Sequence, residues 1–301
     1  MEHTFISPPK SCLLCDNKSF TKHIELKDHF LSGKFFTIFR CDSCGLMQTQ
    51  PVPPLDKLQD YYASPEYISH SNQKSGLFNR TYQVIRKYTL RKKLKQIQRY
   101  VKTPNLLDIG CATGEFLHYC AQNNLSVTGI EPNNNAREFA RREYNLKVEN
   151  EDYLPRLKDG TFDVITMWHV LEHVPDINER MATINRLLTE NGVAFIALPN
   201  PNSYDALYYD NYWAAWDVPR HLFHFSADAF IQLAEKHHFK LVARIPMPFD
   251  SYYVSLLSEK YKNGKSSFTK AAFRGYLSNR MARKINSEYS SITYVIKKSS
   301  S

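Results

Sequence analysis

A chain of 301 residues can hold one sizeable domain and a small appendage. Its 43% hydrophobic and 23% charged residues exclude a disordered polymer, and no 18-residue apolar run is present to span a bilayer. The formal net charge of +9 is concentrated in one place: no acidic residue lies between Tyr67 and Leu107, where ten lysines and arginines run from Lys74 to Lys102.

The start, Met1-Glu2-His3-Thr4-Phe5, lacks the basic and then apolar stretch of a secretory signal. Four of the six cysteines form two Cys-x-x-Cys pairs, Cys12/Cys15 and Cys41/Cys44, separated by 25 residues. Each pair predicts a tight knuckle aiming two thiolates at one point, with Gly45 closing the second turn. Zinc takes four soft ligands tetrahedrally, and two knuckles supply them. An all-cysteine set leaves no open coordination position, so the zinc is expected to be structural. It would staple a module, residues 1–50, too small to build its own core. This cysteine usage suits a reducing compartment, and the cytoplasm is expected.

Pro51, Pro53 and Pro54 mark a linker, which opens a segment, residues 51–103, containing the basic stretch. Phe78, Tyr82, Ile85, Leu94, Ile97 and Val101 recur at helical spacing, predicting an amphipathic helix with a basic face. Such a face is either a solvated surface or an attraction for an anionic partner, a phosphorylated metabolite or a nucleic acid.

From residue 104 to 301 strands and helices alternate. Strands are predicted at 105–109, 126–131, 146–149, 162–168 and 192–198, with helices near 114–123, 134–144 and 177–190. This spacing implies an α/β Rossmann-like, doubly wound sheet with parallel pairing. A helix from Ser226 to His238, a strand at 240–246 and an alternating last strand at 291–296 follow. Insertions are expected at about 200–226 and 247–289.

The segment Leu106-Leu107-Asp108-Ile109-Gly110-Cys111-Ala112-Thr113-Gly114 runs from an apolar strand into a small-residue loop opening a helix. Gly110 and Gly114 let a ligand approach the backbone. Glu131, ending the second strand 23 residues beyond Asp108, can accept both hydroxyls of a ribose. The dinucleotide fingerprint Gly-x-Gly-x-x-Gly is absent. A carboxylate at Asp108 would repel a pyrophosphate but suits a ligand carrying an ammonium and a sulfonium. S-adenosylmethionine is the favoured cofactor over NAD.

With Gly129-Ile130-Glu131-Pro132, Phe162-Asp163-Val164-Ile165 and His169-Val170-Leu171-Glu172-His173-Val174 following in order, the sequence resembles class I S-adenosylmethionine-dependent methyltransferases across about residues 104–200. The resemblance implies an antiparallel last strand at Ser291–Ile296. It further implies that Asp108, Gly110, Cys111 and Gly114 meet the methionine end of the cofactor, Glu131 the ribose and Asp152 the adenine. His169 would line the pocket. The spelling His169-x-x-Glu172-His173 also matches an inverted zinc-peptidase motif, but that chemistry needs a longer helix, and Pro175 follows at once. No metal is expected there, and His173 is expected to order the loop.

Trp213 to Ser226 is rich in Trp, Arg and His and falls where the carboxyl edge of the sheet opens, a natural acceptor wall. A histidine can take the acceptor's proton near neutral pH. His221 is the first candidate and His224 the second. Arg220 is a candidate partner for an anionic acceptor, with Trp216 and Tyr62 as further wall residues. A four-cysteine module ahead of this core is also similar to sugar-nucleotide C-methyltransferases, of whose His-Glu-His-Leu block Pro219-Arg220-His221-Leu222 keeps only the second histidine. The leading expectation is methyl transfer to a small, anionic metabolite. The alternatives are an RNA methyltransferase and a non-catalytic cofactor-binding scaffold.

Overall fold

The computed structural model describes residues 6–54, 57, 59–62 and 77–299. Its first sheet is built by β1 (Phe20–Lys27), β2 (Phe35–Cys41) and β3 (Met47–Gln50), all antiparallel. The basic stretch forms α1 (Leu77–Ile97), whose last two turns bury Leu94 and Ile97 against the main sheet. The main sheet then assembles from β4 (Asn105–Ile109), α2 (Glu115–Gln122), β5 (Ser126–Ile130), α3 (Asn134–Tyr144) and β6 (Val148–Glu149). β7 (Phe162–Trp168), α4 (Ile177–Leu187) and β8 (Leu188–Pro199) complete its parallel part.

The apolar runs of β4 and β7 reach opposite layers because successive strand side chains alternate. Leu107, Ile109 and Ile165 enter the layer beneath α4, whereas Leu106 and Val164 enter the layer beneath α1 and α2. Asp176 and Asn133 end their loops as helix caps, accepting hydrogen bonds from Asn178 and Glu179 and from Ala136.

One boundary differs from expectation. Helix α4 stops at Leu187 and β8 begins at Leu188 rather than at 192. Leu187 and Leu188 are both fully buried, so packing extends the strand at the helix's expense. The surplus residues bulge: Phe162 pairs with Leu188 while Val164 pairs with Val193.

After β8 come α5 (Tyr204–Tyr209), the short strand β9 (Phe223–His224) and α6 (Ala227–Lys236), which Ser226 caps through the N–H of Ala229. β10 (Phe239–Pro246), the paired helices α7 (Asp250–Asn263) and α8 (Phe268–Met281), and β11 (Ser291–Lys298) close the chain. The strand order is β10-β11-β8-β7-β4-β5-β6, with β11 antiparallel to both neighbours and the remaining pairs parallel. It is the Rossmann-like sheet with an antiparallel end that the sequence predicts.

The cysteine module is sewn onto this domain. β3 pairs with β9, making β9 the fourth strand of the first sheet. Cys12, Leu14, Cys44 and Leu46 enter the same core as Ile177, Met181 and Phe223. The Asn178 side chain donates to the carbonyl of Leu13 at 2.7 Å, and Lys236 donates to those of Leu13 and Leu14.

Candidate active site

At the carboxyl end of β4 the strand order reverses, with β5 and β6 on one side and β7 and β8 on the other. Open α/β sheets bind ligands at such a point. Asp108 ends β4 between Gly129 and Thr166 in register, and the Thr166 hydroxyl donates to its carboxylate at 2.6 Å. Burial pushes the Asp108 pKa up to about 7, although Thr166 and Lys93 favour the charged form.

The loop after Asp108 turns on two left-handed glycines. A Cβ on Gly110 (φ +76°) would sit 2.4 Å from Val170, and one on Gly114 (φ +80°) would sit 2.9 Å from Ala140 and Leu146. The N–H groups of Gly110 and Cys111 both donate to the carbonyl of Ile130, binding the loop to the end of β5. Glu131 follows, buried, accepting from the N–H of Ala112 and of Asn133 at 2.9 Å each. Burial also raises its pKa against those two donors. Asp108, Gly110, Cys111, Gly114 and Glu131 thus share one edge. Asp152 stands apart in the exposed turn Glu151–Arg156 after β6.

Three residues that the sequence reading did not assign join this edge. Lys93 of α1 lies with its ammonium 3.9 Å from the ring centroid of Trp168. Burial lowers its pKa to about 8, opposed by the nearby carboxylates of Asp108 and Asp250. Asp250, at the start of α7, bonds His169 Nε2 at 3.0 Å. Glu172 approaches His169 Nδ1 at 3.5 Å. Burial opposes a charge on His169, but these two carboxylates outweigh it and raise its pKa to about 9. Lys93 gave no signal of its own among the ten basic residues of its stretch. Glu172 stood in the spelling His169-x-x-Glu172-His173 but was given no role there, and Asp250 gave no signal because its partner His169 lies 81 positions away.

On the acceptor side, His221 lies buried with Nδ1 2.9 Å from the carbonyl of Ala215. A carbonyl only accepts, so Nδ1 carries the proton and Nε2 the lone pair. That Nε2 faces Glu172 at 4.0 Å and Asp217 at 3.9 Å. Burial and the neighbouring His173 hold the His221 pKa down at about 4, leaving the ring neutral. His173 bonds the carbonyl of Arg220 through Nδ1 at 2.9 Å, which ties the two loops together.

The other wall residues are placed differently from expectation. Arg220, read as a partner for an anionic acceptor, is 2% exposed and committed to Asp217 and Asp28. Its guanidinium also stacks over Phe30, so it locks the wall to the module. His224, the second candidate base, is buried inside the first sheet with Nε2 3.0 Å from the Thr49 hydroxyl, and burial drives its pKa well down. Trp216 packs within the core shared by Phe36, Met47 and Trp213, its indole N–H donating to Asp210. Tyr62 closes the turn Gln59–Tyr62, and its side chain lies outside the described residues.

In the module, the four cysteine sulfurs lie within 4.8 Å of one another, and the pairs Cys12–Cys44 and Cys15–Cys41 stand at 3.5 Å. The knuckle N–H groups of Asp16 and Gly45 donate to the carbonyls of Cys12 and Cys41. Both donors are left-handed, so each chain segment turns back on itself.

A seven-stranded sheet, an acid-ended first strand and a glycine loop at its switch point define a nucleoside-binding transferase domain. The pattern of the methyltransferase domain family matches residues 82–244, and the chain belongs to that family. It is 34% identical over 113 residues to a ubiquinone biosynthesis O-methyltransferase of Pelagibacter ubique, covering 36% of this chain and 47% of that one. The counterpart from Pasteurella multocida is 32% identical over 111 residues, 32% and 46% of the two chains. The chain spans about half the length of the curated relatives it matches. The fold is similar to that of magnesium protoporphyrin IX methyltransferase from Synechocystis PCC 6803, solved with SAH. That match has a TM-score of 0.54 at 11% identity, over 82% of this chain and 100% of that one. A SAM-dependent methyltransferase from Archaeoglobus fulgidus gives 0.50 at 19%, over 71% and 94%.

Proposed function

We propose that the protein transfers a methyl group from S-adenosylmethionine to an oxygen of a small biosynthetic metabolite. The observation that carries this reading is the pair of buried carboxylates, Asp108 and Glu131, flanking a loop that turns on the left-handed Gly110 and Gly114. The cofactor supplies a methyl group on a sulfonium. Asp108 faces the charged methionine end, and Glu131 the ribose hydroxyls. Cys111 lies against the cofactor as part of the loop, Asp152 reaches for the adenine from the rim, and His169 stands at the pocket wall. Lys93 and Asp250 close the other side. The choice of oxygen follows the O-methyltransferases among the relatives.

The acceptor loses its proton at the cluster of Glu172, His173 and His221, with the His221 Nε2 lone pair as its centre. His224, bonded to Thr49 inside a sheet, packs with its ring 6.2 Å from that of His221 rather than meeting the acceptor. An anionic acceptor would take its counter-charge from α1, since Arg220 is already paired on both sides. Four clustered thiols that no disulfide joins fit a structural zinc and the cytoplasm. No helix among the described residues is long and apolar enough to cross a membrane.

The test has two steps. Calorimetry with S-adenosylhomocysteine should give one site per chain, and NAD should give none. Labelled S-adenosylmethionine incubated with host metabolites should then mark a small molecule. Label in RNA, or tight cofactor binding with no label transferred to any pool, would overturn the reading.

A further inference from the structure

The paired helices α7 and α8 stand between β10 and β11, beyond residues 82–244 that the methyltransferase pattern matches. Helix α8 packs with small residues inward: Ala271, Gly275 and Ser278 are buried, and so is Ala282, which opens the π-helical turn Ala282–Asn286. A Cβ on Gly275 would stand 2.7 Å from the Tyr252 ring, so α8 lies close against α7. The Ser278 hydroxyl donates to the buried carboxylate of Asp205, which fixes the rotation of the helix. The large apolar side chains are thereby turned outward. Phe268, Phe273, Tyr276, Met281 and Ile285 are between 38% and 68% exposed. A surface helix that meets only water has the reverse arrangement.

The same helix is strongly positive. From Lys260 to Ser287 there are eight lysines and arginines and no acidic residue. Phe273, Tyr276 and Arg280 recur at spacings of three and four, with Lys284 one turn further, so aromatic and basic side chains share one side. The acids that bound the segment are occupied. Asp250 bonds His169, Glu259 accepts from Tyr209, and Glu288 accepts from Arg244 and Asn200. Among the described residues, Lys265, Lys270, Arg280, Arg283 and Lys284 have no carboxylate partner.

We propose that the outer face of α8 docks on the surface of an anionic phospholipid bilayer, the helix lying in the plane of the interface. A bilayer surface answers both halves of the face: lysines and arginines meet headgroup phosphates, and the apolar side chains among them enter the acyl boundary. A nucleic acid would satisfy the cations and stack on Phe273 and Tyr276. It offers nothing to Met281 and Ile285, which carry no ring. Asn279 of the same helix donates to the carbonyl of Pro248 at 2.9 Å, two residues before the Asp250 that bonds His169. Docking would therefore set the candidate active site beside the bilayer. The docking itself does not depend on methyl transfer.

The test uses the full, zinc-loaded chain and vesicles of phosphatidylglycerol and phosphatidylcholine in equal parts. Co-sedimentation in about 0.1 M salt should show binding, with little to vesicles of phosphatidylcholine alone. Arg280→Glu with Lys284→Glu should weaken binding at least about tenfold, and so should Phe273→Ser with Ile285→Ser. Lys87→Glu with Arg91→Glu makes the same charge change on exposed positions of α1 and should weaken binding less than about threefold. In Phe273→Trp, brominated acyl chains should quench the new indole. Failure to bind the anionic vesicles would overturn the proposal, as would an equal loss from the α1 pair or full binding by the apolar pair. Tighter binding to single-stranded RNA, lost in the same α8 variants, would overturn it in favour of a nucleic acid. Affinity for S-adenosylhomocysteine, measured on the same samples, separates this failure from failure of the methyltransferase reading.

Discussion

The two sides of the candidate active site are built on different plans. The cofactor edge is local: Asp108, the glycine loop and Glu131 fall within 24 consecutive residues, and adjacent strands hold them in register. The acceptor wall is assembled from afar. Thr49 of the module donates its hydroxyl to the carbonyl of His221, and Asp28 holds Arg220, pairs separated by 172 and 192 positions. A local cradle keeps its geometry when distant parts are disturbed; a wall braced by another module does not. On the proposed reading, the cysteine module would bear on the reaction through this bracing alone.

The largest effect that would test this contrast comes from the four clustered cysteines, the proposed zinc ligands. Cys44→Ser should remove about 5 kcal/mol or more of stability from the module, a fall in melting temperature on the order of 10 °C. Methyl transfer should be lost with it, while affinity for S-adenosylhomocysteine stays within about threefold. Equal loss of both would show that the two sides are one unit, and the contrast would fail.

A milder break lies at the buried pair of Asp28 and Arg220, whose side chains are 0% and 3% exposed. Asp28 also accepts the N–H groups of Phe30, Leu31 and Ser32, closing the turn between β1 and β2. Asp28→Asn should cost about 3 kcal/mol in denaturant unfolding, because it leaves a buried guanidinium half-paired. A cost under about 1 kcal/mol would mean that Asp217 alone satisfies Arg220.

The same contrast explains what could be read in the sequence. Strand spacing and the loop Asp108–Gly114 disclosed the sheet and the cofactor edge, since each signal is contained in a short window. The proposed acceptor wall could not be resolved into roles from the sequence. Arg220, His221 and His224 occupy five consecutive positions, yet one pairs with Asp28, one faces Glu172 and one bonds Thr49. Periodicity cannot sort them, because β9 is only two residues long and its partner strand is in another module. Lys93 was hidden in a run of like charges, where only packing separates an inward lysine from its solvated neighbours.

His221 offers a sharper test at intermediate size. His221→Ala should lower turnover about 10²-fold or more, with cofactor affinity within about threefold. A loss of less than threefold would remove His221 as the proton acceptor.

The smallest effect concerns pH and the cofactor edge alone. Asp108 has a pKa of about 7 in the free protein, raised from 3.8 mainly by burial. An acid whose pKa rises on folding weakens the fold as it ionises, so the free protein loses stability as pH climbs from about 4 toward 7. A ligand bearing an ammonium acts in the opposite sense, because it binds the ionised carboxylate. Affinity for S-adenosylhomocysteine should therefore rise about eightfold between pH 6 and pH 7.5, following the ionised fraction of Asp108. The thermal shift it produces should be larger at the higher pH. Asp108→Asn should bind more weakly and show a flat profile over the same interval. A flat profile in the unaltered protein would mean that Lys93 already keeps Asp108 charged at pH 6, and the cofactor's ammonium would then have to displace a lysine instead of a proton.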